Sequence, residues 1–156
     1  MKPIINEIEG GYIVQFIRNY PHSLEKVWEA ITSPDKLRQW FADVDMEYQL
    51  GGRMDIHFNK SAGNKKVGKI IEIKDKWIFE YLWDVEMNET VTFEVTPIEE
   101  GCRLSLTHII HDAAQMPSII GGWESHLDML EASLNGTPSE FPWKKWETIR
   151  DEYSSG

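Results

Sequence analysis

The sequence predicts an α+β fold in which a curved antiparallel sheet of six or seven strands wraps around a long helix near the C-terminus. Three observations carry that expectation. Between residues 44 and 110, apolar side chains recur at every second position in short runs separated by turn residues, the pattern of strands with one covered face. One earlier strand is followed directly by two short stretches of helical spacing. Beyond the last strand, Trp123, Leu127, Leu130 and Leu134 fall at i, i+4, i+7 and i+11, one face of an α-helix. Strand, two short helices, a run of strands and a long helix is an α+β order. A sheet curled around the last helix would cover both apolar faces at once.

Residues 12–20 (YIVQFIRNY) are rich in β-branched and aromatic side chains and stop at Pro21, so they read as a strand. Ser23 offers an N-cap to a short amphipathic helix carrying Leu24, Val27, Trp28 and Ile31, with Lys26 where a complete capping box has Glu or Gln. Pro34 breaks that helix and suits the first position of a second one over 35–41, with Leu37, Trp40 and Phe41 as its apolar face. Period two then takes over. Met46, Tyr48 and Leu50 alternate with polar residues, Gly51-Gly52 turns the chain, and Met54, Ile56 and Phe58 alternate along the next strand. Residues 59–64 (NKSAGN) are a turn cluster. Strands follow over 66–74 and 77–84, the second with Trp77, Phe79, Tyr81 and Trp83 on one side. Met87, Asn88 and Glu89 turn the chain, residues 90–96 put Val91, Phe93 and Val95 on one face, and 99–101 (EEG) form a hairpin turn. Cys102, Leu104, Leu106, His108 and Ile110 alternate along the last strand. The long helix spans 121–135, with Glu124, Asp128 and Glu131 outward and Asn135-Gly136 as its stop. Residues 1–136 form the domain. The tail over 137–156 carries Trp143, Trp146, Ile149 and Tyr153 as one stripe of a last short helix docked on it.

Asp+Glu 26 against Lys+Arg 16 leaves a formal charge of −10, which repels phosphate backbones and anionic headgroups and argues against nucleic acid or membrane partners. Cys102 is the only cysteine, which excludes an intramolecular disulfide and a cysteine-based zinc site. The N-terminus has no signal-like apolar run and no segment reaches the ~18 apolar residues of a membrane helix, so a cytoplasmic protein without membrane insertion is expected. His108 and His111 lie three apart on a strand and point to opposite faces, whereas zinc needs three or four convergent ligands. No metal and no other cofactor is expected. Neither a G-x-S-x-G elbow nor a phosphate loop around Gly121-Gly122 is present.

Five segments carry a family likeness: YPHSLEKVWEAITSPDKLRQWF (20–41), GGRMDIHF (51–58), GKIIEIKDKWIFEYLW (68–83), GCRLSLTH (101–108) and GGWESHLDMLEASLNG (121–136). In this order they resemble the small bacterial proteins related to the activator of the heat-shock-protein-90 ATPase, within the START-like, birch-pollen-allergen superfamily. The resemblance covers residues 12–136. It implies the helix-grip fold, and a cavity between sheet and terminal helix that holds an apolar small molecule. In the eukaryotic activators a separate chaperone-binding domain accompanies this one, and 156 residues leave no room for it.

The side chains that this fold turns inward form the candidate ligand-binding set: Met54, Ile56, Phe58, Phe79, Tyr81, Trp83, Phe93, His108, Trp123, His126, Leu127 and Leu130. Alternation and helical spacing put them inside, either as a filled core or as a lined pocket. His108 shares a face with Leu104 and Leu106, where a neutral imidazole needs a partner, from a ligand or from the core. His126 lies about 60° off the helix stripe, at the pocket rim or the domain boundary. The function implied is non-catalytic binding of a lipid, flavonoid or polyketide-like molecule. A protein-interaction module that modulates a chaperone ATPase is the alternative. A third reading follows the polyketide cyclases of the superfamily and would rest on His108, with Glu80 alternating towards solvent.

Overall fold

A computed structural model describes residues 2–58 and 65–154 of the chain; the turn cluster at 59–64 lies outside the described residues. Its strands are β1 (Ile4–Ile8), β2 (Gly11–Tyr20), β3 (Asp43–Met46), β4 (Arg53–His57), β5 (Lys65–Lys74), β6 (Ile78–Asp84), β7 (Glu89–Ile98) and β8 (Gly101–Ile110). The helices are α1 (Leu24–Thr32), α2 (Pro34–Trp40), α3 (Met116–Leu134) and α4 (Trp143–Ser154), with a 3-10 turn at Ala113–Gln115 before α3. All eight strands form one antiparallel sheet in the order β1-β2-β8-β7-β6-β5-β4-β3. The α+β architecture is the expected one, with eight strands rather than six or seven. The additional strand is β1, whose residues alternate weakly and are held by pairing with β2 from Ile4↔Gln15 to Ile8↔Gly11.

Because β2 pairs with β8 while β3 sits at the opposite edge, the α1–α2 connection crosses the whole sheet. Ser23 caps α1, its Oγ accepting from the Lys26 amide at 3.2 Å. Trp40 donates its indole N–H to the Ala30 carbonyl at 2.8 Å, locking α2 against α1. Lys26 Nζ donates to the Leu134 carbonyl at 2.6 Å, so α1 also satisfies an orphan carbonyl at the end of α3. The curved sheet grips α3. Val14, Phe16, Met54, Ile56, Ile70, Phe79, Tyr81, Phe93, Leu104 and Leu106 from the sheet are buried with Trp123, Leu127, Leu130 and Leu134 from α3. Burying the four α3 side chains contributes about 1.5–3 kcal/mol each before entropy.

Four local expectations change. Tyr48 and Leu50 are exposed, because β3 stops at Met46 and the chain turns through a Gln49-to-Glu47 backbone bond. Trp77 is 47 % exposed rather than aligned with Phe79, since Lys76 takes a left-handed φ of 60° and turns Trp77 out over the Lys74 ammonium. Glu89 is the first residue of β7, not part of the turn. The long helix begins at Met116 instead of Gly121, because Pro117 fits its first turn and the two glycines lie inside it. Asn135-Gly136 ends it as anticipated, with Gly136 at φ 82°. Among the described residues, no helix is long and apolar enough to cross a membrane.

Candidate functional site

A cleft of about 530 Å³ lies beside α3. Its walls come from five places. The end of α2 supplies Trp40 and Phe41, the end of β4 and the β6 strand supply Phe58 and Trp83, and α3 supplies Ile119, Trp123, His126 and Met129. Phe141, Trp143 and Trp146, from the start of α4 and the segment before it, close the remaining side. A register irregularity falls at Trp83. The β6–β7 register runs Leu82↔Thr90 and then Asp84↔Glu89, leaving Trp83 as the extra residue of a bulge, which bends the strand and re-aims its side chain.

The rings form a continuous wall. Phe41 stacks on Trp123 with centroids 5.4 Å apart and planes 10° from parallel. Phe58 stands edge-on to Phe41 at 5.5 Å, and Trp83 lies 5.8 Å from Phe58 and 5.6 Å from Trp123. Across the opening, Phe141 lies 5.1 Å from His126 and 4.6 Å from Trp143. Aromatic pairs at these separations and tilts are mutually attractive, so the wall is held by its own contacts.

His126 is the polar atom set within this wall. Its Nδ1 lies 2.9 Å from the Trp40 carbonyl, which can only accept, so Nδ1 carries the proton and Nε2 keeps its lone pair. Burial holds the imidazole neutral by pushing its pKa down to about 4, against the opposing pull of the Trp40 carbonyl. Thus His126 offers the cleft an acceptor.

His108 lies behind the wall rather than on it. It is fully buried, and its Nδ1 accepts from Trp123 Nε1 at 2.9 Å. Its proton is therefore on Nε2, which faces Glu89 Oε1 at 3.7 Å, too long for a hydrogen bond. Burial lowers the His108 pKa, with Glu89 opposing. Burial on its own would raise the Glu89 pKa, but His108 and the His111 amide, which donates to Glu89 Oε2 at 2.9 Å, outweigh it and hold the carboxyl below its ordinary range. The result is a buried carboxylate, a neutral imidazole and an indole in line, ending on the cleft wall.

Of the sequence-predicted residues, Phe58, Trp83, Trp123 and His126 line the cleft. Met54, Ile56, Phe79, Tyr81, Phe93, Leu127 and Leu130 pack in the core between sheet and α3, and His108 supports Trp123 from behind. Glu80 accepts from Thr92 Oγ1 on the opposite face of the sheet from Tyr81. Sequence reasoning missed Glu89, although extending the Val91–Phe93–Val95 alternation back two residues would have turned it inward. It also left Trp40, Phe41 and Phe141 out of the site, since each lies in a different segment and only the fold brings them to one rim.

Several solved structures share this fold, three of them as follows. CalU16 from Micromonospora echinospora is 19% identical, covers 99% of this chain and 96% of its own, and superposes with a TM-score of 0.80. EF2215, a conserved protein of unknown function from Enterococcus faecalis, is 15% identical over 99% of this chain and 91% of its own, with a TM-score of 0.77. DynU16, from the dynemicin biosynthetic locus, is 19% identical over 83% of this chain and 49% of its own, with a TM-score of 0.74. No curated protein sequence matches the chain. The family described as activator of Hsp90 ATPase homolog 1-like protein matches residues 21–135, from the turn before α1 to the end of α3. The chain belongs to that family.

Proposed function

We propose that this chain binds an aromatic or otherwise apolar small molecule in the cleft beside α3 and performs no chemistry on it. The observation that carries the reading is the wall itself: contiguous aromatic rings along a cleft of about 530 Å³, with the neutral acceptor of His126 set among them. Small-molecule sites are commonly apolar clefts of roughly 300–1,000 Å³ with a few placed polar groups. A flavonoid, polyketide or lipid body would gain from this wall what water cannot. DynU16 puts one protein of this fold in a biosynthetic locus. The non-catalytic part of the reading rests on His108, the group an acid–base reaction would use. Its Nδ1 is engaged by Trp123 and its Nε2 side faces Glu89, so it offers nothing to the cleft.

The test is a titration followed by NMR with a panel containing an anthraquinone, a flavonol and a long-chain fatty acid. Saturable shifts of the Trp83 and Trp123 indole N–H signals and of the Phe141 amide are expected for at least one class. If every ligand leaves those signals unmoved at its solubility limit, the reading fails.

A further inference from the structure

We infer that the molecule this cleft selects is a phenol-type aromatic whose hydroxyl donates to His126 Nε2. The inference rests on the binding function proposed above and specifies its ligand class. It begins with the tautomer. Trp40's carbonyl at 2.9 Å leaves no choice but a proton on Nδ1, so Nε2 is an acceptor whose position the α2–α3 contact fixes. Among the described residues no group donates to Nε2. The imidazole sits among Phe41 at 5.5 Å, Phe141 at 5.1 Å, and Phe58 and Trp123 both at 6.2 Å, so a group reaching it arrives between ring faces and edges.

Of the other polar groups on the cleft, those of Gln39, Trp123, Trp146 and Arg38 already have partners, and Ser139 and Glu140 lie on the segment before α4, outside the ring of aromatic contacts around His126. Gln39 Oε1 accepts from Ser133 Oγ at 2.7 Å, Trp123 donates to His108, and Trp146 donates to the Ser118 carbonyl at 3.1 Å. Arg38 pairs with Asp35 and Asp43. A purely hydrocarbon ligand would cover Nε2 and strip its water without replacing the hydrogen bond, and a buried acceptor left that way is costly. A carboxylate placed there would meet a lone pair. It would have to protonate the ring, and burial opposes that. A hydroxyl on an aromatic ring meets both requirements, donating to Nε2 while its ring lies against the wall.

The experiment measures affinities by calorimetry for 2-naphthol, 2-methoxynaphthalene and 2-naphthoate, in the full-length protein and in His126→Phe. In the wild type, 2-naphthol is expected to bind about tenfold more tightly than its methyl ether, the usual weight of one neutral hydrogen bond. In His126→Phe the two should bind alike. Comparing the ratio between proteins cancels the difference in hydrophobicity, and the wild-type ratio alone decides the matter if the variant does not fold. Equal binding of naphthol and ether in the wild type overturns the phenol inference and leaves the aromatic-binding function standing. So does tighter binding of 2-naphthoate, which would point to Arg38 or Lys66 as the anchor. If none of the three binds, the phenol inference is overturned, while the binding function is decided separately by the anthraquinone, flavonol and fatty-acid panel.

Discussion

The Glu89–His108–Trp123 line is where single side chains control most. An indole can only donate, and Trp123 is 2 % exposed, so its N–H needs the His108 Nδ1. With that nitrogen engaged, the proton must sit on Nε2, facing a carboxylate that is 4 % exposed and also accepts from the His111 amide. Each group sets the next. Replacing His108 with Leu keeps the volume but strands a buried N–H and removes one of the partners of a buried carboxylate. The expected loss is about 3 kcal/mol of unfolding free energy, read from urea denaturation. The Trp123 indole N–H resonance should also move, because its acceptor is gone. A loss under about 0.5 kcal/mol would mean the line contributes no more than its shape.

Among the elements, the contact between α3 and α4 determines how one side of the cleft is closed. Trp146 donates to the Ser118 carbonyl, which ties α4 to α3, and within α4 its ring lies 4.8 Å from the Arg150 guanidinium carbon. Gly121 permits the approach. A Cβ there would lie 3.0 Å from the Trp146 carbonyl oxygen and 3.1 Å from its Cδ1, whereas a Cβ on Gly122 would meet nothing within 4 Å. Adjacent glycines in one helix should therefore respond with opposite sign. Gly122→Ala is expected to stabilise by up to about 1 kcal/mol through helix propensity. Gly121→Ala should gain nothing or lose about 1 kcal/mol, since backbone rather than a flexible side chain is in the way, and should change the fluorescence of Trp146 as α4 shifts. Thermal melts of the two variants side by side make the comparison; equal stabilisation by both would mean that α4 gives way freely.

For the whole molecule, the two buried imidazoles set the acid limb of stability. The His126 pKa is about 4 in the folded chain against an ordinary 6.5, and that of His108 is shifted in the same direction. The unfolded chain therefore takes up protons first as pH falls. Stability is full above pH 6.5 and declines towards pH 4, where folded His126 also protonates and its share of the loss stops growing. Glu89, held below its ordinary 4.5, adds a further loss below that value. One proton corresponds to about 1.4 kcal/mol per pH unit, an upper limit for His126 because it borders an open cleft. Denaturation midpoints measured from pH 4.5 to 7 should fall with acid in the wild type and less steeply in His126→Phe. An unchanged slope in the variant would show that His126 is not held neutral.

The helix-grip arrangement was legible because it rests on local periodicity: alternation marked the sheet, 3.6-residue spacing marked α1 and α3, and Ser23, Pro34 and Asn135-Gly136 marked helix ends. Those signals act within a few residues and survive without any tertiary context. The cleft was legible only in fragments. Trp123 and His126 could be placed inward from one helix, and Phe58 and Trp83 from strand alternation, but alternation also pointed to Phe79, Tyr81 and Phe93, which pack as core. What separates wall from core is the β6 bulge at Trp83, the crossing of α2 beneath His126 and the close approach of α4 allowed by Gly121. Each of these depends on contacts between segments far apart in sequence. So does the tautomer on which the proposed ligand choice turns, with the Trp40 carbonyl accepting the His126 Nδ1 proton and leaving the lone pair on Nε2. The sequence by itself determined the family and its fold, and only the tertiary structure decided which aromatic residues line the cleft and which His126 nitrogen carries the proton, because both depend on contacts between distant segments.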